Sequence, residues 1–124
     1  MSERPNVLIV GLDPAVVDFS RWPGLSEDKL RTTLQAEREA LAADGYDVSI
    51  CFIDHGETAE RVLVEALVWG RYDAVVLGAG VRKDEEQFLL FERLINIIHR
   101  HAGDAAICFN TGPTDTAAAV RRWI

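Results

Sequence analysis

The stretch of this chain best suited to bind an anion is a glycine-rich, basic turn at residues 78–83, with the sequence Gly-Ala-Gly-Val-Arg-Lys. Gly78 and Gly80 would allow a ligand to approach the backbone closely, and a helix starting just after them would offer unpaired N–H groups. Arg82 and Lys83 add positive charge. The turn lacks the spacing of a P-loop, and Lys83 stands where the dinucleotide-binding fingerprint has its third glycine. It therefore predicts a site for a phosphate or carboxylate without identifying the ligand; the alternative is a tight turn with solvated charges.

Two residues could act as acid and base. His55 lies in a turn between the carboxylates of Asp54 and Glu57, and Asp13 directly follows the first predicted strand. An imidazole changes its charge near physiological pH and can serve as a general base. We therefore take His55 and Asp13 as candidate catalytic residues, with an ordinary exposed turn as the alternative for His55. No recognisable set of metal ligands accompanies them, so no metal site is predicted.

A second polar turn occupies residues 110–116, with the sequence Asn-Thr-Gly-Pro-Thr-Asp-Thr. Thr114 is the predicted N-cap of the last helix, which accounts for part of this polarity without a ligand. Asn110 and Thr111 remain available to contact a bound molecule. They complete the candidate ligand-binding set.

The elements that must position these residues follow one repeated pattern of apolar strand, turn and amphipathic helix. Strands are predicted at residues 6–12, 47–53, 73–77 and 105–109, and helices at residues 26–43, 58–69, 84–101 and 114–124. This alternation indicates parallel βαβ units with right-handed crossovers. The first and third strands are the most apolar and belong in the middle, which gives the order 2-1-3-4. The predicted fold is an α/β, Rossmann-like three-layer sandwich in a single domain, and a half-barrel is the alternative.

In such a sheet, ligands bind beyond the carboxyl ends of the strands, where the strand order reverses. Here that crevice lies between the first and third strands. Its walls would be the turn at residues 78–83 and the connection at residues 13–25. This connection exceeds the usual ~2 to 6 residues, and loops of such length are often functional.

In size and alternation the chain resembles a receiver domain, and it also resembles flavodoxins. Receiver domains carry an acidic pair after the first strand and a phosphorylated Asp after the third, but residues 11–13 are Gly-Leu-Asp and residues 77–78 are Leu-Gly. The Ser/Thr-rich phosphate loop of flavodoxins is replaced by Leu-Asp-Pro-Ala at residues 12–15. The resemblance therefore implies a fold and no activity.

The long helix predicted at residues 84–101 carries apolar side chains over about half of its circumference, more than the ~100° stripe of an ordinary covering helix. These residues are Phe88, Leu90, Phe91, Leu94, Ile95, Ile97 and Ile98. We expect a homodimer through this helix. The alternative is that neighbouring elements of the same chain cover it.

Composition limits the possible partners and locations. The 124 residues carry a net charge of −7, which disfavours binding to a nucleic acid backbone. No apolar run approaches the roughly 20 residues needed to span a bilayer, and residues 1–6 lack the features of a signal peptide. We therefore expect a cytoplasmic protein.

Cys51 and Cys108 lie in strands at opposite edges of the predicted sheet, about 14 Å apart at ~4.8 Å per strand, so no disulfide is predicted.

Three functions remain compatible with the sequence. The first is binding of a small anionic metabolite or nucleotide-like ligand at the carboxyl-terminal edge of the sheet. The second is a small enzyme that uses the same crevice, with His55 or Asp13 as acid or base. The third is a dimeric structural or partner-binding domain without a small-molecule site. The sequence names no cofactor and no substrate.

Overall fold

The structure, a computed structural model, describes residues 4–124. Within this range the strands are β1 (Asn6–Leu12), β2 (Asp47–Ile53), β3 (Ala74–Leu77) and β4 (Ala106–Phe109). They form one all-parallel sheet in the order β2-β1-β3-β4. The predicted α/β class and strand order are therefore confirmed, and the architecture is that of a Rossmann-like or flavodoxin-like sandwich. Residues 1–3, part of the segment on which the expectation of a cytoplasmic location rests, lie outside the described range.

Five helices occur in the described range: α1 (Glu27–Ala43), α2 (Ala59–Trp69), α3 (Ala79–Arg82), α4 (Phe88–His101) and α5 (Thr116–Arg121). The first begins and ends where its sequence predicts. The Ser26 hydroxyl accepts a hydrogen bond from the Lys29 N–H at 3.2 Å, and Gly45 follows the helix with φ +97°. Both features satisfy backbone groups that a helix end leaves unpaired.

The core consists of two apolar layers, one on each face of the sheet. Leu8 and Val10 of β1 pack with buried residues of α2 and α4, whereas Val7 and Ile9 pack with buried residues of α1 and α5. Side chains alternate between faces along a strand, so β1 contributes to both layers. Strands β1 and β3 are buried on both faces, as their continuous apolar sequences predict.

The turn at residues 78–83 differs from its prediction. It was expected to be a loop leading directly into a helix from Asp84, but it contains α3, and α4 begins only at Phe88 after a 3-10 turn at Glu85–Gln87. Burial explains the short helix, because Val81 is fully buried in the layer formed with α2 and α4. The Asp84 carboxylate accepts the Glu86 N–H at 3.0 Å and thereby starts the 3-10 turn.

The prediction that Thr114 caps the last helix was wrong. Residues Pro113–Asp115 form a 3-10 turn, and α5 starts at Thr116. The Asp115 carboxylate accepts the N–H groups of Thr111 at 2.9 Å and of Gly112 at 3.1 Å. A carboxylate is a stronger acceptor than a hydroxyl group, which explains why the aspartate organises this turn.

The two cysteines are buried and unpaired, as predicted. Cys51 lies on β2 and Cys108 on β4, at opposite edges of the sheet. Burial raises the pKa of the Cys51 thiol to about 11. Among residues 4–124, no helix has the length and apolar character needed to cross a bilayer.

Candidate ligand-binding site

A cavity of about 250 Å³ lies at the carboxyl-terminal edge of the sheet, and we refer to it as the carboxyl-terminal cavity. Its lining comes from four parts of the chain and includes Ile9–Leu12, Gly78–Gly80, Asn110–Pro113, and the apolar side chains of Val17, Trp22, Leu25, Leu30 and Leu34. The cavity includes the ends of β1 and β3. The strand order reverses between these two strands, and the sequence predicts the ligand site at this point. None of the lining residues carries a charged side chain.

One position of β1 that lines the cavity, Gly11, has no side chain. Val7 and Ile9 point to the face covered by α1 and α5, and Gly11 is the next residue in that row. A Cβ atom at Gly11 would have nothing within 4 Å, so the position is open. Gly78 is different, because a Cβ there would lie 3.4 Å from the Val10 carbonyl oxygen. The lack of a side chain at Gly78 allows β1 and β3 to approach closely, whereas the lack of a side chain at Gly11 leaves space in the cavity.

Asn110 is the buried polar side chain of this cavity, with 4% of its surface exposed. Its Oδ1 accepts the Ala79 N–H at 2.9 Å, and its Nδ2 donates to the Thr116 hydroxyl oxygen at 2.9 Å. Asn110 thereby joins the end of β4 to the starts of α3 and α5. An amide group has two N–H donors, so Asn110 can offer one more to a ligand.

Arg82 and Lys83 lie beside the cavity rather than in its lining. The Arg82 guanidinium stands 5.4 Å from the centroid of the Phe109 ring and donates to the Asn110 carbonyl oxygen. Lys83 Nζ donates to the Thr111 carbonyl oxygen at 2.6 Å. The expected cations therefore bind the segment that follows β4, and Asn110 already occupies the first N–H of α3.

His55 and Asp13 also lie outside the lining. The Asp13 carboxylate accepts the Ala15 N–H at 2.9 Å and binds Arg31 Nη2 at 3.2 Å. His55 is exposed, and its Nε2 lies 2.7 Å from the Val16 carbonyl oxygen, to which it must donate. Both residues thus hold residues 13–25, which we call the covering loop. Of the predicted site residues, the structure brings Gly78, Gly80, Asn110 and Thr111 together and places the other four around them.

The covering loop is also fixed at its far end by an ion-pair cluster. Arg21 Nη1 lies 2.9 Å from an Asp84 carboxylate oxygen, and Arg21 Nη2 lies 2.9 Å from a Glu86 carboxylate oxygen. Trp22, the next residue, lines the cavity. The cluster therefore connects the cover of the cavity to the turn before α4.

Carboxylates at this edge of the sheet serve mainly as turn caps. Asp54 accepts hydrogen bonds from the Thr58 hydroxyl and N–H and from the Gly56 N–H, which together lower its pKa to about 2. For Asp115, burial raises the pKa, but the hydrogen bonds from Thr111 and Gly112 outweigh it and the net shift is downward. Residues 4–124 contain no group of three or more His, Cys, Asp or Glu side chains placed to hold a metal ion.

The sequence reasoning missed the apolar part of the site. It identified the covering loop as a wall but gave no role to Trp22, Leu25 or Gly11. A usable signal was present, since Gly11 interrupts an apolar strand and the two large apolar residues lie in a loop, where burial needs a reason.

No protein-family model matches the chain, and no curated protein sequence is significantly similar to it.

Proposed function

We propose that this protein binds a small molecule in the carboxyl-terminal cavity, with a flat, weakly polar ring inside and any negative charge at the rim. One observation carries the proposal: a cavity without charged lining residues lies at the edge of the sheet where Rossmann-like folds bind ligands. The nucleotide-like ligand expected from the sequence fits this description. A bare inorganic anion does not.

The shape of the lining favours a ring. The lining includes backbone with small residues at positions 78–80, and it also includes the Trp22 ring and the side chains of Leu25 and Leu30. A planar group in the cavity would contact both apolar surface and peptide groups. At about 250 Å³ the space suits one small ring system rather than a dinucleotide.

The distribution of charge indicates where an anionic group would lie. Burial of an unpaired anion is costly, and the lining supplies no cation to offset that cost. Arg21 and Lys83 line a shallow depression next to the cavity, and Trp22 belongs to both. The carboxylates of Asp84, Glu85 and Glu86 line the same depression and offset its positive charge. A phosphate or carboxylate attached to a buried ring would therefore remain in solvent at the rim of the cavity.

The experiment is thermal unfolding of the wild type, Gly11→Ala and Gly11→Val with purine nucleosides, their monophosphates, aromatic carboxylates and inorganic phosphate. A ligand at 100 times its dissociation constant stabilises by roughly 2.7 kcal/mol, which shifts the midpoint by several degrees. Both substitutions enter open space, and valine suits a strand, so the unliganded proteins should keep the wild-type midpoint. The ligand-induced shift should shrink with alanine and disappear with valine.

Two results would contradict the proposal. An equal ligand-induced shift in the wild type and Gly11→Val would place the ligand outside the cavity. An equal shift with inorganic phosphate and with a nucleoside monophosphate would mean that the anion alone is recognised.

No contact within residues 4–124 supports the alternative that the protein is an enzyme. The carboxylate of Asp13 and the imidazole of His55 are engaged in holding the covering loop.

A cytoplasmic location stays a prediction. It is supported by Cys51 and Cys108, which are unpaired, as is typical of proteins in reducing compartments. Cell fractionation with an antibody against the chain would test it.

A further inference from the structure

The apolar surface of α4 is mostly covered by the chain itself. Leu90, Leu94 and Ile98 are buried in the layer formed with α2, and Phe91, Ile95 and Ile97 pack partly buried against the same layer. The breadth of the apolar pattern is therefore explained within one molecule. Two large apolar residues at the start of the helix remain outside: Phe88 is 58% exposed and Leu89 is 65% exposed.

The exposed face of α4 is strongly polarised in charge. Glu85 and Glu86 lie in the turn that precedes the helix, and His99, Arg100 and His101 occupy its last turn. An acidic start and a basic end complement each other when two such helices lie antiparallel. The helix dipoles then also oppose each other favourably.

We propose that two copies of this chain associate through α4, antiparallel, about a two-fold axis that passes between Glu92 and Arg93. In this register Glu85 faces Arg100 of the second copy, and Glu92 lies next to Arg93 across the axis. All four side chains are exposed in the single chain, where Arg93 also lies 3.3 Å from Glu60. The two-fold symmetry forms each pair twice.

One exposed apolar residue agrees with the same register. Leu89 and Asn96 lie on the same face of the helix and would face each other across the axis. Leu89 would therefore leave water, while the charges around it select the antiparallel orientation over the parallel one. A parallel pair would oppose like charges at both ends.

The proposed interface is small. A helix of 14 residues is about 21 Å long, at ~1.5 Å per residue. Exposed ion pairs are individually weak and are screened by salt. We therefore expect a weak dimer whose dissociation constant rises with ionic strength.

The Glu85–Arg100 pair gives the sharpest test, since within residues 4–124 neither side chain forms a salt bridge. Sedimentation equilibrium of the full chain over a wide concentration range should show reversible dimers at low salt. Glu85→Arg and Arg100→Glu should each weaken association by roughly tenfold, because each reversal acts twice across the axis. The double variant should recover wild-type association.

A matched control is Arg61→Glu on α2, an exposed charge reversal outside the proposed register, which should leave association unchanged. Circular dichroism melting verifies that every variant is folded. A strictly monomeric wild type would overturn the proposal. So would single reversals that associate like the wild type, or a double variant that fails to recover. Because the cavity and α4 are probed by different variants, failure of either proposal leaves the other standing.

Discussion

The two edges of the sheet use their polar residues in different ways. The amino-terminal edge has a cleft of about 540 Å³, about twice the size of the carboxyl-terminal cavity, and polar residues line much of it. Two of these polar residues are bound to the protein itself. Arg4 donates to the carbonyl oxygens of Ala42 and Gly45, and the Asp73 carboxylate accepts the Asn6 N–H.

Neither the volume of a cavity nor the polarity of its lining therefore identifies the candidate site in this protein. At the amino-terminal edge, short connections such as residues 44–46 and 70–73 join the helices to the strands. At the opposite edge, the covering loop is long enough to fold over the ends of β1 and β3, and Gly11 leaves the space beneath it empty. A long loop and a missing side chain at the cavity therefore distinguish this edge from the other.

The largest effect should come from Asn110→Ala. The substitution leaves the Ala79 N–H and the Thr116 hydroxyl without their partner in a buried place, and we expect a loss of about 3 kcal/mol in the free energy of unfolding. Urea denaturation measures it. Asp73→Ala at the amino-terminal edge is the control, since Asp73 is exposed, and it should cost under about 1 kcal/mol. Equal costs would remove the distinction between the two edges.

A smaller effect is expected from Arg4→Ala at the amino-terminal edge. Arg4 donates to three carbonyl groups around the end of α1, so its loss should cost about 1 kcal/mol and leave ligand binding unchanged. Arg38 is an exposed arginine on α1, so Arg38→Ala is the matched control for stability. If Arg4→Ala abolished a ligand-induced thermal shift, the amino-terminal edge would have to take part in binding.

Acid should weaken the carboxyl-terminal edge first. The pKa of Asp54 is about 2 in the folded chain and 3.8 for an ordinary aspartate. Because the folded value is depressed, its stabilisation is present above about pH 4 and is lost as the pH falls towards 2. Protection of the Gly56 and Thr58 amides against hydrogen exchange, relative to the intrinsic exchange rate at each pH, should fall over this range, and Asp54→Asn should flatten the change. Asp104→Asn, at the opposite edge, should reproduce the wild-type pH profile.

The smallest effect is expected from Arg71→Ala. Arg71 lines the amino-terminal cleft but forms no hydrogen bond or salt bridge in the described part of the chain. Its removal should change the free energy of unfolding by less than about 0.5 kcal/mol and should not alter the response to any ligand. A loss of the ligand-induced thermal shift in Arg71→Ala would place the ligand site at the amino-terminal edge instead.

Much of the fold follows from local sequence. The apolar runs at residues 7–10 and 74–77 indicate central parallel strands, and Ser26 and Gly45 define α1 without tertiary information. Helix α3 could not be predicted, because it is four residues long and contains a glycine, which disfavours helix. It forms through the burial of Val81 beneath elements that are distant in sequence.

The site was predicted by position rather than by chemistry. Asn110 was expected to contact a ligand, but its first task is to join β4 to α3 and α5. The direction of Arg82 depends on how α3 stands relative to β4, which no local pattern specifies. The switch-point rule points to the edge of the sheet that holds the carboxyl-terminal cavity, because the rule depends only on strand order.

The covering loop and the strands beneath it differ in how easily they can be changed. Gly78 N–H donates to the Val10 carbonyl oxygen at 2.9 Å, so the base of the cavity is part of the sheet and cannot be widened without breaking it. The covering loop is held by contacts at its two ends, to His55 and to Asp84. If the cavity binds a ligand as proposed, exchange of residues 14–25 would change which ligands it accepts while the sheet stays intact, and substitution of Gly11 would change the depth of the cavity independently.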